Sequence, residues 1–249
     1  MRRRILRLAA VLAAALLAPA CAAADAAPGG EVRVFAAASL RGAFDELASA
    51  FEAAEGVGVR PVYDGSSTLA AQLLGGAQAD VFAAADEATM RAVTDAGLAA
   101  EPELFAANTL VIAVPAGNPA GITELADLAD PDTTVVLCAP EVPCGAASET
   151  LLANAGVAVT PKSVEQHVTA VRTKVAAGEA DAGLVYATDV LGDADVEAIT
   201  PAGASEVVNR YPIAVLTDAA APAAADAFIA FVLGAEGRRI LADHGFGTP

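Results

Sequence analysis

EVRVFAAASLRGAFDELASAF, residues 31–51, is the stretch on which the fold reading turns. Glu31–Ala37 is an apolar-rich run of strand length, and Leu40, Phe44, Leu47 and Phe51 then recur at the spacing of one helical face. The same order repeats outward. Val59–Tyr63 is a second short strand, followed by a helix over Ser66–Leu74 that stops at Gly75-Gly76. Asp80–Ala84 and Leu110–Val114 are strands, with a helix around Glu87–Ala96 between them. Beyond Pro115, a helix over Thr123–Leu128 leads to the strand Thr134–Cys138, then to helices near Ala146–Asn154 and over Val168–Ala177. The strands Ala182–Tyr186 and Ile213–Leu216 follow, and Ala223–Asp243 supplies one or two closing helices. Strands alternating with helices predict an α/β fold.

Upstream of this pattern, Arg2, Arg3, Arg4 and Arg7 precede a Leu/Ala run from Leu8 to Ala18. Basic, then apolar, then small residues is the order of a secretory signal, and the apolar part is too short to span a membrane. Residues 17–21, Leu-Ala-Pro-Ala-Cys, look like a lipobox. Residues 1–20 are therefore read as a signal peptide, Cys21 as the lipidated residue and 21–30 as a small-residue tether. Pro19 is unusual in that motif, and an ordinary signal-peptidase cut is the alternative; either cut leaves the working protein outside the cytoplasm.

Four of the 14 basic residues and none of the 31 acidic ones lie in residues 1–20, so the remainder carries ten against 31, a net charge of about −21. Such a surface attracts neither nucleic acid nor an anionic lipid face. With Cys21 lipidated, Cys138 and Cys144 remain, six apart in an oxidising compartment. They predict a disulfide closing a short loop, with free thiols as the alternative. Two thiols with the distant His167 and His244 are too few for a metal site.

Three strand-to-helix junctions carry hydroxyls or free backbone N–H groups: Phe35–Leu40 with Ser39, Asp64–Thr68 with Gly65 and Ser66, and Val142–Gly145 before the helix at Ala146. A helix N-terminus exposes unpaired N–H groups and the positive end of the macrodipole, and so favours an anion. The simpler reading of each junction taken singly is helix capping, for which Ser and Thr are preferred.

VFAAASL at 34–40, GSSTLAAQL at 65–73 and ADVFAAAD at 79–86 closely resemble the periplasmic molybdate-binding proteins of ABC uptake systems. EVPCGAAS at 141–148, HVTAV at 167–171, AGLVYATD at 182–189, RYPIAV at 210–215 and HGF at 244–246 follow in that family's order, so the resemblance covers residues 31–249. It implies the two-lobed type II periplasmic-binding-protein fold. Each lobe would be a mixed, mostly parallel sheet flanked by helices, with the ligand cleft between the lobes. Lobe 1 would be residues 31–109 and 210–249, lobe 2 residues 110–209, with the hinge near Asn108-Thr109 and Asn209-Arg210.

The resemblance also implies an oxyanion site. Ser39 and Ser66 would donate hydroxyl and N–H, Cys144 and Val168 their backbone N–H groups, and Tyr186 its phenol hydroxyl. The ligand would be molybdate or tungstate, with no other cofactor, no catalytic residue and no direct protein–metal bond. An ABC permease with its cytoplasmic ATPase would be the partner, the membrane would be reached only through the lipid anchor, and the protein would be a monomer.

Two positions depart from that family's pattern. Cys144 stands where a small residue such as Ala is common, and Asp64 replaces a residue that is usually small and neutral. An Asp64 facing the cleft would accept a hydrogen bond from a protonated oxyanion and admit phosphate; an Asx-type turn is the other reading. Sulfate, also a tetrahedral dianion, is the further alternative ligand. A secreted serine hydrolase fails on inventory, because no G-x-S-x-G elbow surrounds any Ser and His167 and His244, read as surface residues, are the only bases of their kind.

Overall fold

The computed structural model describes residues 30–249. The predicted signal peptide, lipidated Cys21 and tether residues 22–29 lie outside the described residues.

The opening stretch folds as its pattern dictates. β1 (Val32–Ala37) buries every residue but Arg33, because it is flanked by parallel neighbours on both sides and covered on both faces. A single 3-10 turn, Ala38–Leu40, leads into α1 (Arg41–Glu55), which buries Phe44, Leu47 and Phe51 and ends at Gly56. Each of these three side chains contributes about 1.5–3 kcal/mol of apolar burial. β2 (Val59–Asp64), α2 (Ser66–Leu74), β3 (Val81–Ala83) and α3 (Glu87–Asp95) continue the alternation.

The chain then leaves this half of the molecule on β4 (Glu103–Pro115) and builds the second half from β5 (Val135–Cys138), α4 (Pro143–Ala155), β6 (Ser163–Glu165), α5 (Val168–Ala176), β7 (Ala182–Tyr186) and β8 (Val196–Ile199). It returns on β9 (Val208–Val215) and closes with α6 (Pro222–Leu233) and α7 (Ala235–Asp243). The strands form one nine-stranded curled mixed sheet, ordered β2-β1-β3-β9-β4-β7-β5-β6, with β8 also paired to β4. The neighbours β1/β2, β1/β3, β5/β6 and β5/β7 are parallel, and the pairs made by β4 and β9 are antiparallel. β4 is shared: Glu103–Thr109 pairs with β9, and Leu110–Pro115 pairs with β7 and β8. Asn108 and Asn209, buried polar residues, face each other in register where the two strands cross.

Several sequence expectations need correction. β4 and β9 begin well before Leu110 and Ile213. Their first halves were not legible because a buried Asn interrupts each, and in β9 it is Asn209 that points inward while Val208 is exposed. β6 and β8, three and four residues long, are too short and polar to leave a periodicity. The expected helix at Thr123–Leu128 is a 3-10 turn, Leu125–Ala129. α4 starts at Pro143, not Ala146, since proline suits the first helical position; Cys144 therefore lies inside the first turn. Ala223–Asp243, by contrast, agrees with the expectation of one or two closing helices: it is two, meeting at Gly234.

The aromatic residues are few, eight Phe, three Tyr and no Trp, yet most of them form one connected cluster. Edge and tilted contacts run from Phe231 through Phe51, Phe228, Phe44 and Phe105 to Tyr211, which packs against both Phe246 and Tyr186. Such pairs add about 0.5–1.5 kcal/mol each beyond area burial. Their consequence here is positional: the rings of Tyr211 and Tyr186 are held by the core of the molecule.

Candidate oxyanion site

Ser39 lies in the 3-10 turn after β1, and Ser66 is the first residue of α2. Neither caps its helix: α1, α2 and α4 have no side-chain cap, whereas Asp86 and His167 do cap α3 and α5. The capping explanation for the two serines is thereby removed. Ser66 is 1 % exposed and its Oγ accepts the Ala85 N–H at 3.0 Å. A hydroxyl whose lone pair is so engaged has its proton left to give. Ser39 Oγ lies 3.1 Å from the Tyr211 hydroxyl. Neither serine is paired with a histidine, as a hydrolase nucleophile would be.

Cys144 is the second residue of α4, and its side chain is tied to Cys138 at the end of β5 by a disulfide. Gly145 follows because nothing larger fits: a Cβ there would stand 1.8 Å from the Ala139 carbonyl oxygen. Val168 opens α5, with His167 as its cap, Nδ1 accepting the Ala170 N–H at 3.2 Å. Both histidines read as surface residues are half-buried: His244 pairs with Glu46, and His167 lines the cavity described next. Tyr186 ends β7, opposite Leu110 in register.

All five sequence-predicted residues, Ser39, Ser66, Cys144, Val168 and Tyr186, line a single cavity, together with Gln166 and His167. The cavity leaves about 20 Å³ for the centre of a water-sized sphere. One water needs about 10–15 Å³ on the same measure, so the space suits a compact polyatomic ion rather than an organic solute. Among the described residues, no Lys, Arg, Asp or Glu lines it. The helices α2, α4 and α5 all begin at this cavity, and the first N–H groups of a helix have no partner within it.

Tyr186 supplies the sharpest signal. Its hydroxyl oxygen is buried and makes no hydrogen bond, the one such side-chain atom among the described residues. Burial first, and then the neighbouring Tyr211, Asp189 and Asp86, hold the phenol well above its usual range, so it remains protonated and a donor. Asp189, whose carboxylate accepts the Tyr186 backbone N–H at 3.0 Å, is pushed up to about 7 chiefly by burial, with that hydrogen bond and the Arg172 charge opposing.

Asp64 does not line the cavity. It is half-buried, and its Oδ1 accepts the N–H of the next residue, Gly65, at 2.7 Å. The two halves also touch one another directly. Ser67 Oγ donates to the Glu141 carbonyl at 2.8 Å, Asn108 Nδ2 donates to Thr188 Oγ1 at 2.8 Å, and Gly65 packs so closely on the Gln166 carbonyl that a Cβ would stand 2.2 Å from it.

Sequence reasoning missed Tyr211, Gln166 and His167 as parts of this site. Tyr211 belongs to the quoted RYPIAV segment, but nothing local marks it, since its partner Ser39 is 172 residues away.

The disulfide closes the short loop from Cys138 to Cys144 that carries the Cys144 N–H. Loop-closure entropy for so short a loop gives about 2 kcal/mol of stability. Reducing it is expected to lower the unfolding free energy by about that amount and to weaken anion binding modestly. Unchanged affinity in fully reduced, folded protein, followed by titration calorimetry, would sink the bracing role.

Comparison with known proteins gives a consistent result. The family model described as bacterial extracellular solute-binding protein matches residues 32–247. The molybdate-binding protein ModA of Mycobacterium tuberculosis is 49 % identical over 219 residues, covering 87 % of this chain and 84 % of the relative. Among solved structures, the Azotobacter vinelandii periplasmic molybdate-binding protein superposes with a TM-score of 0.76 at 21 % identity, covering 88 % of this chain and 99 % of that one. The sulfate-binding protein SubI of Mycobacterium tuberculosis superposes with a TM-score of 0.72 at 20 % identity, covering 88 % and 87 %. At these identities the two structures speak for the fold.

Proposed function

This chain belongs to the bacterial extracellular solute-binding protein family, and from that premise we propose that it captures molybdate outside the cytoplasm and hands it to an ABC permease driven by a cytoplasmic ATPase. The observation that carries the reading is the protonated Tyr186 hydroxyl, buried without a hydrogen bond on a residue that lines a small cavity of neutral donors and three helix N-termini. Molybdate at neutral pH is a fully deprotonated tetrahedral dianion, so it accepts hydrogen bonds and gives none. Each charge-assisted bond contributes about 1.5–3 kcal/mol. Aligned N–H dipoles around the cavity offset the net acidity of the chain, whose exposed carboxylates are screened over about 8–10 Å by salt.

Ser39, Ser66, Cys144, Val168 and Tyr186 are the proposed ligands, with closure of the two halves as the binding step and Cys21 as the lipid anchor. The protein acts as a monomer that captures rather than converts. Tungstate, alike in shape and charge, binds nearly as well. Sulfate meets the same donors and is distinguished by its smaller size.

The test is thermal unfolding of the chain from Cys21 onward with molybdate, tungstate, sulfate or phosphate. At 100 times its dissociation constant a ligand adds about 2.7 kcal/mol, or roughly 5–11 °C for a chain of this length. Molybdate and tungstate are expected to raise the midpoint, and sulfate far less. No shift with any of the four would overturn the oxyanion reading.

A further inference from the structure

The two serines differ in how their protons are directed. Ser66 has no choice: the Ala85 N–H can only donate to it, at 3.0 Å, so its own proton goes to the cavity. Ser39 faces another hydroxyl, Tyr211, at 3.1 Å, and either oxygen has the position to donate. Tyr211 is fully buried, and its ring is held edge-on by Phe105, Tyr186 and Phe246. A phenol is the more acidic of the two hydroxyls and the better donor. Only when it donates does Ser39 retain a proton for an anion.

We infer that Tyr211 is a specificity-determining positioning residue: by donating to Ser39 it turns the Ser39 proton into the cavity and makes the site reject oxyanions that carry a proton of their own. This rests on the oxyanion reading above. Burial, partly offset by the Ser39 and Asn108 side chains, keeps the Tyr211 phenol protonated, in line with a donor role. Tyr186 also remains protonated: burial and the neighbouring Tyr211 side chain favour its neutral form, and its hydroxyl completes no hydrogen bond in the structure. An anion bearing an O–H group then sets its hydrogen against donors, and an unpaired buried polar group is costly. Without the Tyr211 hydroxyl, Ser39 is free to rotate and accept.

Sulfate and phosphate isolate this effect from size. They are nearly equal in dimensions, but at neutral pH sulfate is bare and every abundant phosphate species carries a proton. The experiment is competition of each against bound molybdate in the wild type, Tyr211→Phe and Ser39→Ala. In Tyr211→Phe the preference for phosphate over sulfate is expected to rise about tenfold, with molybdate weakened only a few-fold. In Ser39→Ala, which removes both the inward proton and the acceptor, both competitors weaken and their ratio rises less than in Tyr211→Phe. A Tyr211→Phe protein that binds molybdate with an unchanged phosphate-to-sulfate ratio would overturn the inference alone. So would one whose only change is a lower unfolding midpoint. A wild type that binds no oxyanion would overturn the functional reading and this inference with it.

Discussion

Gly65→Ala is expected to weaken molybdate binding by roughly 1,000-fold or more while leaving the ligand-free protein as stable as the wild type. The backbone at Gly65, with φ −56° and ψ 137°, is open to any residue, so alanine brings no local strain. It even restricts the unfolded chain, worth about 0.4–1 kcal/mol in favour of folding. The conflict is across the cleft, where the new Cβ would stand 2.2 Å from the Gln166 carbonyl oxygen, on the far half of the molecule. Backbone atoms cannot yield there without moving α5 or separating the halves.

An anion held by the first half alone keeps Ser39 and Ser66 but loses Cys144, Val168 and Tyr186. Three bonds at about 1.5–3 kcal/mol each account for the expected loss. Titration calorimetry and urea unfolding separate the two quantities, and small-angle scattering with molybdate should show a variant that stays open. Wild-type affinity would mean that the contact between Gly65 and Gln166 is not required for binding. A destabilised ligand-free protein would place the fault in folding rather than closure.

Tyr186→Phe is the second large effect, and its two readouts move in opposite directions. Removing one charge-assisted donor costs about 1.5–3 kcal/mol of binding, or about 10- to 150-fold in affinity. The same change removes a buried hydroxyl that has no partner in the structure, so the ligand-free protein should be no less stable than wild type, and more stable if the desolvation penalty is recovered. Ring packing against Tyr211 at 6.0 Å is retained by phenylalanine. An ordinary core tyrosine behaves differently, losing stability when its bonded hydroxyl is deleted. Undiminished molybdate affinity would take Tyr186 out of the site.

The segments whose information is local were legible before any coordinates. β1, α2, α5 and β7 stand where periodicity and their start and stop residues put them, because strand and helix periods depend on neighbours within a few residues. The five proposed ligand positions were legible too, carried by ordered motifs at strand ends, and the structure gathers them around one cavity. The Cys138–Cys144 pairing was expected from counting and compartment, and it is present.

What depends on residues far apart was decided by the tertiary structure alone. That Ser39 and Ser66 face a cavity instead of capping helices follows from Tyr211 and the Ala85 N–H, which arrive from β9 and from the turn after β3. The first halves of β4 and β9 exist because each satisfies the other's backbone while burying Asn108 and Asn209, a choice that reads as loop in either strand by itself. The need for Gly65 is set by a carbonyl 101 positions later in the chain, at Gln166. A sequence states which groups are available to donate, because that is covalent chemistry and local geometry. Which oxygen turns its proton inward, and which contact closes the cleft, are properties of surfaces that meet only once the chain has folded.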